Sequence, residues 1–314
     1  MSRLSSVISL YLSCKKSLGY RFVTEENVLN AFCKAMGDSP MNGIEAARVL
    51  AFLNGSGLVS EYWVKKYNVL SGFYRFALSR GFVAQSPLPH RIPLRTAPVF
   101  MPYIYSEDEL RKLFAACTAA CPGRCHVEGD VLRAMLVLLY GATLRLGEAL
   151  SLTIADVDVS ESLLRVRETK FFKSRLVALG QDLTSAMRDY LVLRERRHPV
   201  SEALPFFCCR DGRPVPKHMA QAAFRRARDY AGIKRDGGPR RQPRLHDLRH
   251  SGAVHRVVAW YRRGDDVQDL LPKLATYLGH VDLHATQRYL TMTPELLREA
   301  SLRFEHYATE VNHA

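Results

Sequence analysis

Apolar residues recur every three to four positions in four segments of the first 90 residues, and this spacing predicts four amphipathic helices. The segments are 7–20, 28–36, 44–53 and 62–82. Thr24 and Ser60 stand before helical segments and are predicted N-caps, because a hydroxyl oxygen there accepts a hydrogen bond from a backbone N–H of the first turn. The pattern predicts a small all-helical unit at the start of the chain.

A proline-rich segment separates this unit from a longer one. Residues 86–104 contain five prolines, a density that neither a helix nor a central strand tolerates, so we predict a linker there. The chain then divides into a helical domain at 1–85 and a larger domain at 105–314. Ser106 and Glu109 have the pattern of a capping box that opens the larger domain. The helices predicted after it are 107–118, 129–141, 146–152, 183–197, 216–232, 246–263, 267–278, 283–290 and 294–308.

The larger domain also carries a pattern typical of a β-hairpin. Between Leu163 and Leu179, the apolar runs LLRV and LVAL flank the polar segment ETKFFKSR. Such a pattern predicts two short strands joined by a turn. The run LPFFCC predicts a third short strand at 204–209. The predicted fold class is mainly α with a small β-sheet (α+β).

The composition is that of a globular protein. The chain has 314 residues, of which 47% are hydrophobic, which excludes a disordered or collagen-like chain and favours two domains. No run of about 18 apolar residues occurs, so we expect no membrane span. The seven cysteines are scattered and odd in number, which does not suit a disulfide framework. We expect a soluble, cytoplasmic protein.

Positive charge is concentrated in the second domain. The chain has 45 Lys and Arg against 31 Asp and Glu, a net charge of +14, and residues 210–263 hold fifteen Lys or Arg against four Asp. A solvated basic face is one explanation. Because the cluster also surrounds a His-x-x-Arg pair, a phosphate backbone is favoured, and the expected partner is a nucleic acid. The candidate contact residues are Lys65, Lys66, Lys173, Arg225, Arg226, Arg240, Arg241 and Arg244.

We expect neither a metal nor a cofactor. A zinc site is the alternative for the group Cys117, Cys121, Cys125 and His126. A proline and a glycine interrupt the second spacer and no further Cys-His pair follows, so buried or unpaired thiols are preferred. Cys208 and Cys209 are interpreted as packing residues. No paired carboxylates with convincing spacing for a metal occur.

Four local groups carry side chains suited to catalysis. They are Arg145 with Glu148, Lys170 in the hairpin turn, His246 with Arg249, and His280 with Tyr289 nine residues later. Taken singly, each has an ordinary structural explanation: an ion pair within a helix, a solvent-facing lysine, a polar first turn, and a packing tyrosine. Chance agreement of all four, in this order and at these spacings, is much less common.

At these residues the sequence resembles the tyrosine recombinases, the phage-integrase superfamily, whose pattern is Arg, Lys, His-x-x-Arg, His or Trp, and then a nucleophilic Tyr. The matching residues are Arg145, Lys170 in KFFKSRLV, His246 and Arg249 in RLHDLRH, His280 at the end of LGH, and Tyr289. Thr143 departs from the pattern, since the family often has glycine two residues before the first arginine. The resemblance spans almost the whole chain, with the helical domain matching the family's core-binding domain.

The resemblance implies that Tyr289 attacks a scissile phosphate and forms a 3′-phosphotyrosyl bond, without a metal. Arg145 and Arg249 would grip the two non-bridging oxygens, because a planar guanidinium presents paired donors that match phosphate. His246 is then the candidate general base.

Two further roles follow from the same resemblance. His280 would donate a hydrogen bond to a non-bridging oxygen. Lys170 would deliver a proton to the leaving 5′-oxygen as general acid, with Lys173 as a rival for that role.

The implied function is that of a site-specific recombinase, integrase or transposase of a mobile element. The implied partner is double-stranded DNA, and the implied assembly is a tetramer on two paired sites. Accessory recombination proteins are candidate further partners. Segment 294–308 would dock on a neighbouring subunit or on its own domain. A type IB-like topoisomerase shares this chemistry, but the compact helical N-terminal unit favours a recombinase. A third hypothesis is a non-catalytic DNA-binding regulator of the same fold. The presence of every expected functional group argues against it.

Overall fold

The structure is a computed structural model, and its contacts divide the chain into two units, 1–100 and 101–314. The boundary falls inside the proline-rich segment. The residues that the structure describes are 2–20, 22–55, 59–90, 101–123, 125–167, 174–199, 201–279, 286, 298–299 and 301–302. The fold is mainly helical with a small sheet, as predicted.

The first unit packs four helices around aromatic side chains. The helices are α1 (Leu4–Ser17), α2 (Val23–Met36), α3 (Ala46–Asn54) and α4 (Glu61–Ser79). α4 contacts each of the other three. The prediction that Ser60 caps α4 is confirmed, because its hydroxyl accepts a hydrogen bond of 3.3 Å from the backbone N–H of Trp63.

The N-cap prediction for α2 is wrong. The helix begins at Val23, and Phe22 holds the N-cap position with φ at +48°, so Thr24 lies inside the first turn. Glu25 and Glu26 also lie in this turn. Negative side chains at a helix N-terminus are favourable because of the helix dipole, which supports a helix that starts upstream of the apolar pattern.

Lys66 lies on the buried face of α4. Its ammonium donates to the carbonyl oxygen of Phe52 near the end of α3 and lies 4.9 Å from the centroid of the Phe52 ring. Burial lowers the pKa of this amine. A cation beside the last carbonyls of a helix is favourable, and the bond connects α4 to the end of α3. The structure thus corrects the expectation that Lys66 contacts DNA, whereas Lys65 is exposed.

The second unit is arranged around one apolar helix. Its helices among the described residues are α5 (Glu107–Ala120), α6 (Gly129–Gly141), α7 (Leu146–Leu150), α8 (Gln181–Glu195), α9 (Lys217–Tyr230), α10 (Asp247–Arg263) and α11 (Val267–Leu278). α6 is apolar on nearly all sides and contacts α5, α8 and α10, as expected for a helix at the centre of a core. The capping box predicted at Ser106 and Glu109 is present.

α6 and α10 approach each other closely at Gly252. A Cβ atom at this position would lie 2.2 Å from the carbonyl oxygen of Tyr140 and 2.9 Å from Cγ2 of Thr143. Only glycine permits so short a separation. The contact places the first turns of α10 beside the turn that follows α6.

The small sheet consists of β1 (Val157–Asp158), β2 (Leu163–Val166) and β3 (Arg175–Ala178), paired antiparallel in that order. The two hairpin strands are as predicted. The third strand is not at 204–209, where only isolated bridges form at Pro205 and Cys208. That segment instead buries Phe206 and Phe207 in the core, which explains its apolar character.

The predicted helices 283–290 and 294–308 lie largely outside the described residues. Residues 286, 298–299 and 301–302 are helical, and Glu299 pairs with Arg262 of α10 in the same chain, at 3.2 Å. Among the helices that the structure describes, none has the length and apolarity needed to cross a membrane.

Candidate active site

Arg145 stands at the N-cap of α7, directly after the turn that ends α6. Thr143 in this turn has φ at +50°, in the left-handed region that β-branched residues rarely occupy. Its carbonyl oxygen accepts a hydrogen bond of 2.6 Å from Nη1 of Arg249. The predicted His-x-x-Arg motif of α10 is therefore joined directly to the segment that carries the first arginine.

Glu148 is the common partner of the arginines in this region. Its Oε1 accepts from Nη1 of Arg145 at 2.7 Å and from Nη1 of Arg175 at 3.1 Å. Its Oε2 accepts from the backbone N–H of Arg145 and from Nη2 of Arg175, both at 2.9 Å. Nη1 of Arg249 lies 4.0 Å from the same oxygen. One buried carboxylate thus holds a cluster of three guanidinium groups.

The carboxylate of Glu148 is strongly stabilised in its charged form. Burial opposes ionisation, but the hydrogen bonds from Arg175 and Arg145 outweigh it and lower the pKa of Glu148 from 4.5 to about 2. The group is therefore ionised at any pH at which the protein works, and the cluster of three arginines and one glutamate keeps a net positive charge.

The carboxyl end of α11 accepts hydrogen bonds from the same three arginines. Nε of Arg175 donates to the carbonyl of Tyr277 at 3.2 Å, Nη2 of Arg249 to that of Leu278 at 2.7 Å, and Nη2 of Arg145 to that of Gly279 at 3.1 Å. The last carbonyls of a helix lack partners within the helix and carry partial negative charge. The arginines satisfy them and fix the residue that immediately precedes His280.

The three arginines differ in their access to solvent. The side chain of Arg145 is 39% exposed, that of Arg175 is 13% exposed and that of Arg249 is 2% exposed. Arg145 is therefore the arginine of the cluster that is most accessible to an anion from solvent. Arg249 supports both neighbouring segments through its bonds to Thr143 and Leu278.

His246 stands at the N-cap of α10, and its ring lies edge-on to that of His250 with the centroids 4.8 Å apart. Although the side chain of His246 is partly exposed, desolvation by the surrounding protein, followed by the positive charges of Arg249 and Arg244, lowers the pKa of His246 below 6.5. Asp247 opposes this shift. A histidine that is neutral at physiological pH has a lone pair with which to accept a proton.

Of the six predicted catalytic residues, Arg145 and Arg249 meet at Glu148, and His246 lies near enough for the charges of both arginines to lower its pKa. The others, Lys170, His280 and Tyr289, lie outside the described residues, as does Lys173. Arg175 is not among the residues predicted from the sequence to belong to the site. A usable signal was present, because Arg175 stands two residues before the buried Val177 and so faces inward with it. A charged residue at an inward-facing position of a strand indicates a specific partner.

The candidate DNA contacts of the second unit differ in their surroundings. Arg225, Arg226 and Arg241 are exposed. Arg244 is about half exposed and pairs with the buried Asp247 at 2.9 Å, so it also orders the start of α10. The side chain of Arg240 lies outside the described residues.

Two cysteines that follow α5 contact an arginine. Nη2 of Arg226 lies 3.8 Å from Sγ of Cys121 and 3.7 Å from Sγ of Cys125, and burial raises the pKa of Cys121. Within the described ranges, no three His, Cys, Asp or Glu side chains are placed to hold a metal ion.

The amino-acid sequence is similar to those of known proteins. The model of the phage integrase family matches residues 104–295. A putative integrase/recombinase, y4rB, of Sinorhizobium fredii is 33% identical over 97% of this chain and 98% of that protein.

Solved structures share the fold. The integrase of the transposon Tn1549, solved with transposon right end DNA, superposes with a TM-score of 0.69 at 15% identity, over 96% of this chain and 99% of that one. A lambda integrase tetramer bound to a Holliday junction gives a TM-score of 0.65 at 19% identity, over 92% of this chain and 77% of that one.

Proposed function

This chain belongs to the phage integrase family, and from that premise we propose that it is a site-specific tyrosine recombinase that breaks and rejoins double-stranded DNA. The observation that carries the proposal is that Arg145 and Arg249 meet at Glu148, although about 100 residues separate the two arginines along the chain. Both arginines also act electrostatically on His246. A purely structural ion pair does not need a half-exposed arginine beside a histidine with a lowered pKa.

The proposed reaction is a transesterification. The phenolic oxygen of Tyr289 attacks the scissile phosphorus, a P–O bond to tyrosine forms and the P–O5′ bond breaks. His246 takes the phenolic proton, and Lys170 gives a proton to the leaving 5′-oxygen. A 5′-hydroxyl later reverses these steps on the same or another strand. The phosphotyrosyl bond conserves the energy of the broken phosphodiester, so no energy-rich cofactor is required.

Charge on the phosphate is countered by the arginine cluster. Arg145, as its exposed member, binds the first non-bridging oxygen, and the positive field of the cluster favours the extra negative charge that develops during attack. Arg249 would bind the second non-bridging oxygen, while its Nη1 and Nη2 also donate to the carbonyls of Thr143 and Leu278. His280 is the next residue along the chain after Gly279, whose carbonyl Arg145 holds, and its proposed role is to donate a hydrogen bond to a non-bridging oxygen.

The basic residues supply the grip on the duplex. Lys65 in the first unit and Arg225, Arg226 and Arg241 in the second are exposed and would neutralise backbone phosphates. Exposed arginines of this kind position the protein on DNA without selecting its sequence.

The assembly and the biological role extend the proposal. We propose a tetramer on two paired sites and a role in a mobile element, as an integrase or transposase in the cytoplasm. The relatives support this, since one is the integrase of a transposon and another is a lambda integrase tetramer on a Holliday junction.

The experiment that tests the chemistry uses the purified protein and nicked suicide duplexes taken from the DNA that flanks its own gene. We expect a covalent protein–DNA adduct on a denaturing gel, formed in the presence of a chelator and lost in Tyr289→Phe, which retains DNA binding. Tight binding without an adduct would favour the non-catalytic regulator. An adduct in Tyr289→Phe would show that another residue is the nucleophile.

A further inference from the structure

Arg175 makes contacts that differ from those of an ordinary strand residue. Its guanidinium forms paired hydrogen bonds of 3.1 and 2.9 Å to the two carboxylate oxygens of Glu148, and a third bond of 3.2 Å to the carbonyl of Tyr277. The paired geometry is specific to arginine, because its planar fork matches a carboxylate. Arg175 therefore connects β3 to α7 and to the end of α11 at once.

The space around Arg175 is also restricted. A Cβ atom on Gly279 would lie 2.8 Å from Nη1 and 3.0 Å from Cζ of Arg175, so the guanidinium lies directly against the backbone of Gly279. From the sheet side, Tyr277 donates its hydroxyl to the carbonyl of Ala178 at 3.1 Å. The backbone of Gly279 thus limits the space open to the guanidinium, and the Tyr277 bond joins the end of α11 to β3.

Arg175 and Arg145 depend on the same two groups. Both donate to each oxygen of Glu148, and both donate to carbonyls at the end of α11. Without Arg175, Glu148 would lose two of its four close hydrogen bonds and could rotate. The direction in which Arg145 points depends on Glu148, so it would then be less defined.

We propose that Arg175 is a positioning residue of the cleavage site, which holds Glu148 and the end of α11 so that Arg145 is aimed at the scissile phosphate. The inference rests on the proposed function. Arg175 itself does not touch the DNA. Groups that orient the residues in direct contact with substrate commonly change activity by about 10- to 100-fold when removed.

The test uses single-turnover formation of the covalent adduct by the full chain on the nicked duplex. Arg175→Lys keeps the positive charge but cannot make the paired bonds. Arg165→Lys is the matched control, because Arg165 lies on the neighbouring strand β2, pairs in register with Leu176 and is exposed. Each variant is measured on the ordinary phosphate and on an uncharged methylphosphonate at the scissile position, beside DNA affinity and thermal unfolding.

We expect Arg175→Lys to form the adduct about 10- to 100-fold more slowly on the phosphate, with DNA affinity within about threefold of wild type. The loss should be much smaller on the methylphosphonate, which has no anionic oxygen pair for Arg145 to neutralise. Arg165→Lys should match wild type on both substrates. Arg175→Gln, in which charge and fork are both removed, should show the same dependence on the substrate and a larger loss.

Three results would overturn the inference. Full activity of Arg175→Lys would mean that only the charge is needed. Equal losses on the two substrates would mean general damage to the fold rather than a misdirected arginine. If wild type and Arg165→Lys form no adduct on either substrate, the proposed function fails and this inference fails with it, whereas a failure confined to the Arg175 variants leaves the proposed function intact.

Discussion

Glu148→Gln tests whether one carboxylate stabilises the arginine cluster. The lowering of the pKa from 4.5 to about 2 corresponds to about 3 kcal/mol of stability, since one pKa unit is about 1.4 kcal/mol. The side chain is only 8% exposed, so solvent screens this interaction little. We expect Glu148→Gln to lower the free energy of unfolding by about 3 kcal/mol at pH 7.

The pH dependence gives a second, independent check on Glu148. A carboxyl with a lowered folded-state pKa contributes its full stability above pH 4.5, and the contribution falls as the pH drops from 4.5 towards 2. The difference between wild type and Glu148→Gln should therefore shrink by about 1.4 kcal/mol on going from pH 7 to pH 3.5.

The assay follows urea unfolding of the second unit alone. The chain has two tryptophans, Trp63 in the first unit and Trp260 on α10 in the second, so Trp63→Phe leaves a single reporter. Glu195→Gln, an exposed position on α8, is the matched control and should change stability by less than about 0.5 kcal/mol. A loss below about 1 kcal/mol at pH 7, or the same loss at pH 7 and pH 3.5, would refute the reasoning.

Three further outcomes are expected. Gly252→Ala should destabilise the second unit by about 3 kcal/mol or more in urea unfolding, because its Cβ would meet the Tyr140 carbonyl; Gly147→Ala, with no heavy atom within 4 Å, should not. Thr143→Gly should be more stable than Thr143→Ala by about 1 kcal/mol, because residue 143 has φ at +50° and glycine adopts this angle without strain. If the alanine variant were the more stable of the two, the backbone at this position would not be strained. The rate of adduct formation should rise with pH through a pKa below 6.5, set by His246. Arg244→Gln removes a positive charge that lowers this pKa, so it should move the rise in rate to higher pH. A rise at the same pH would show that Arg244 does not lower the pKa of His246.

The helices were predictable from the sequence because their causes are local. Apolar spacing located α6 and α11 at their observed bounds, and the serine hydroxyls at Ser60 and Ser106 marked two starts. The segment 204–209 was assigned wrongly because a short apolar run does not distinguish a strand from a buried loop. Its phenylalanines pack in the core without forming a ladder.

The candidate site was predictable only in part. Spacing singled out Arg145, His246 and Arg249, but the sequence did not reveal that Glu148 binds more than its helical neighbour. The additional partner of Glu148 is Arg175, which is 27 residues away along the chain and reaches Glu148 from β3. Contacts between distant segments are decided by tertiary packing, so periodicity and capping signals do not report them.

The contact at Gly252 has a consequence for how sequences with this fold can vary. It sets the spacing between α6 and α10 through a backbone carbonyl and a missing side chain, and neither has alternative rotamers. A related sequence that keeps this glycine is therefore expected to keep the distance between the turn before Arg145 and the start of α10. Neighbouring core residues can therefore change in size while the spacing between Arg145 and His246 is kept. Substitutions in the core and changes at the candidate site can then occur independently of each other.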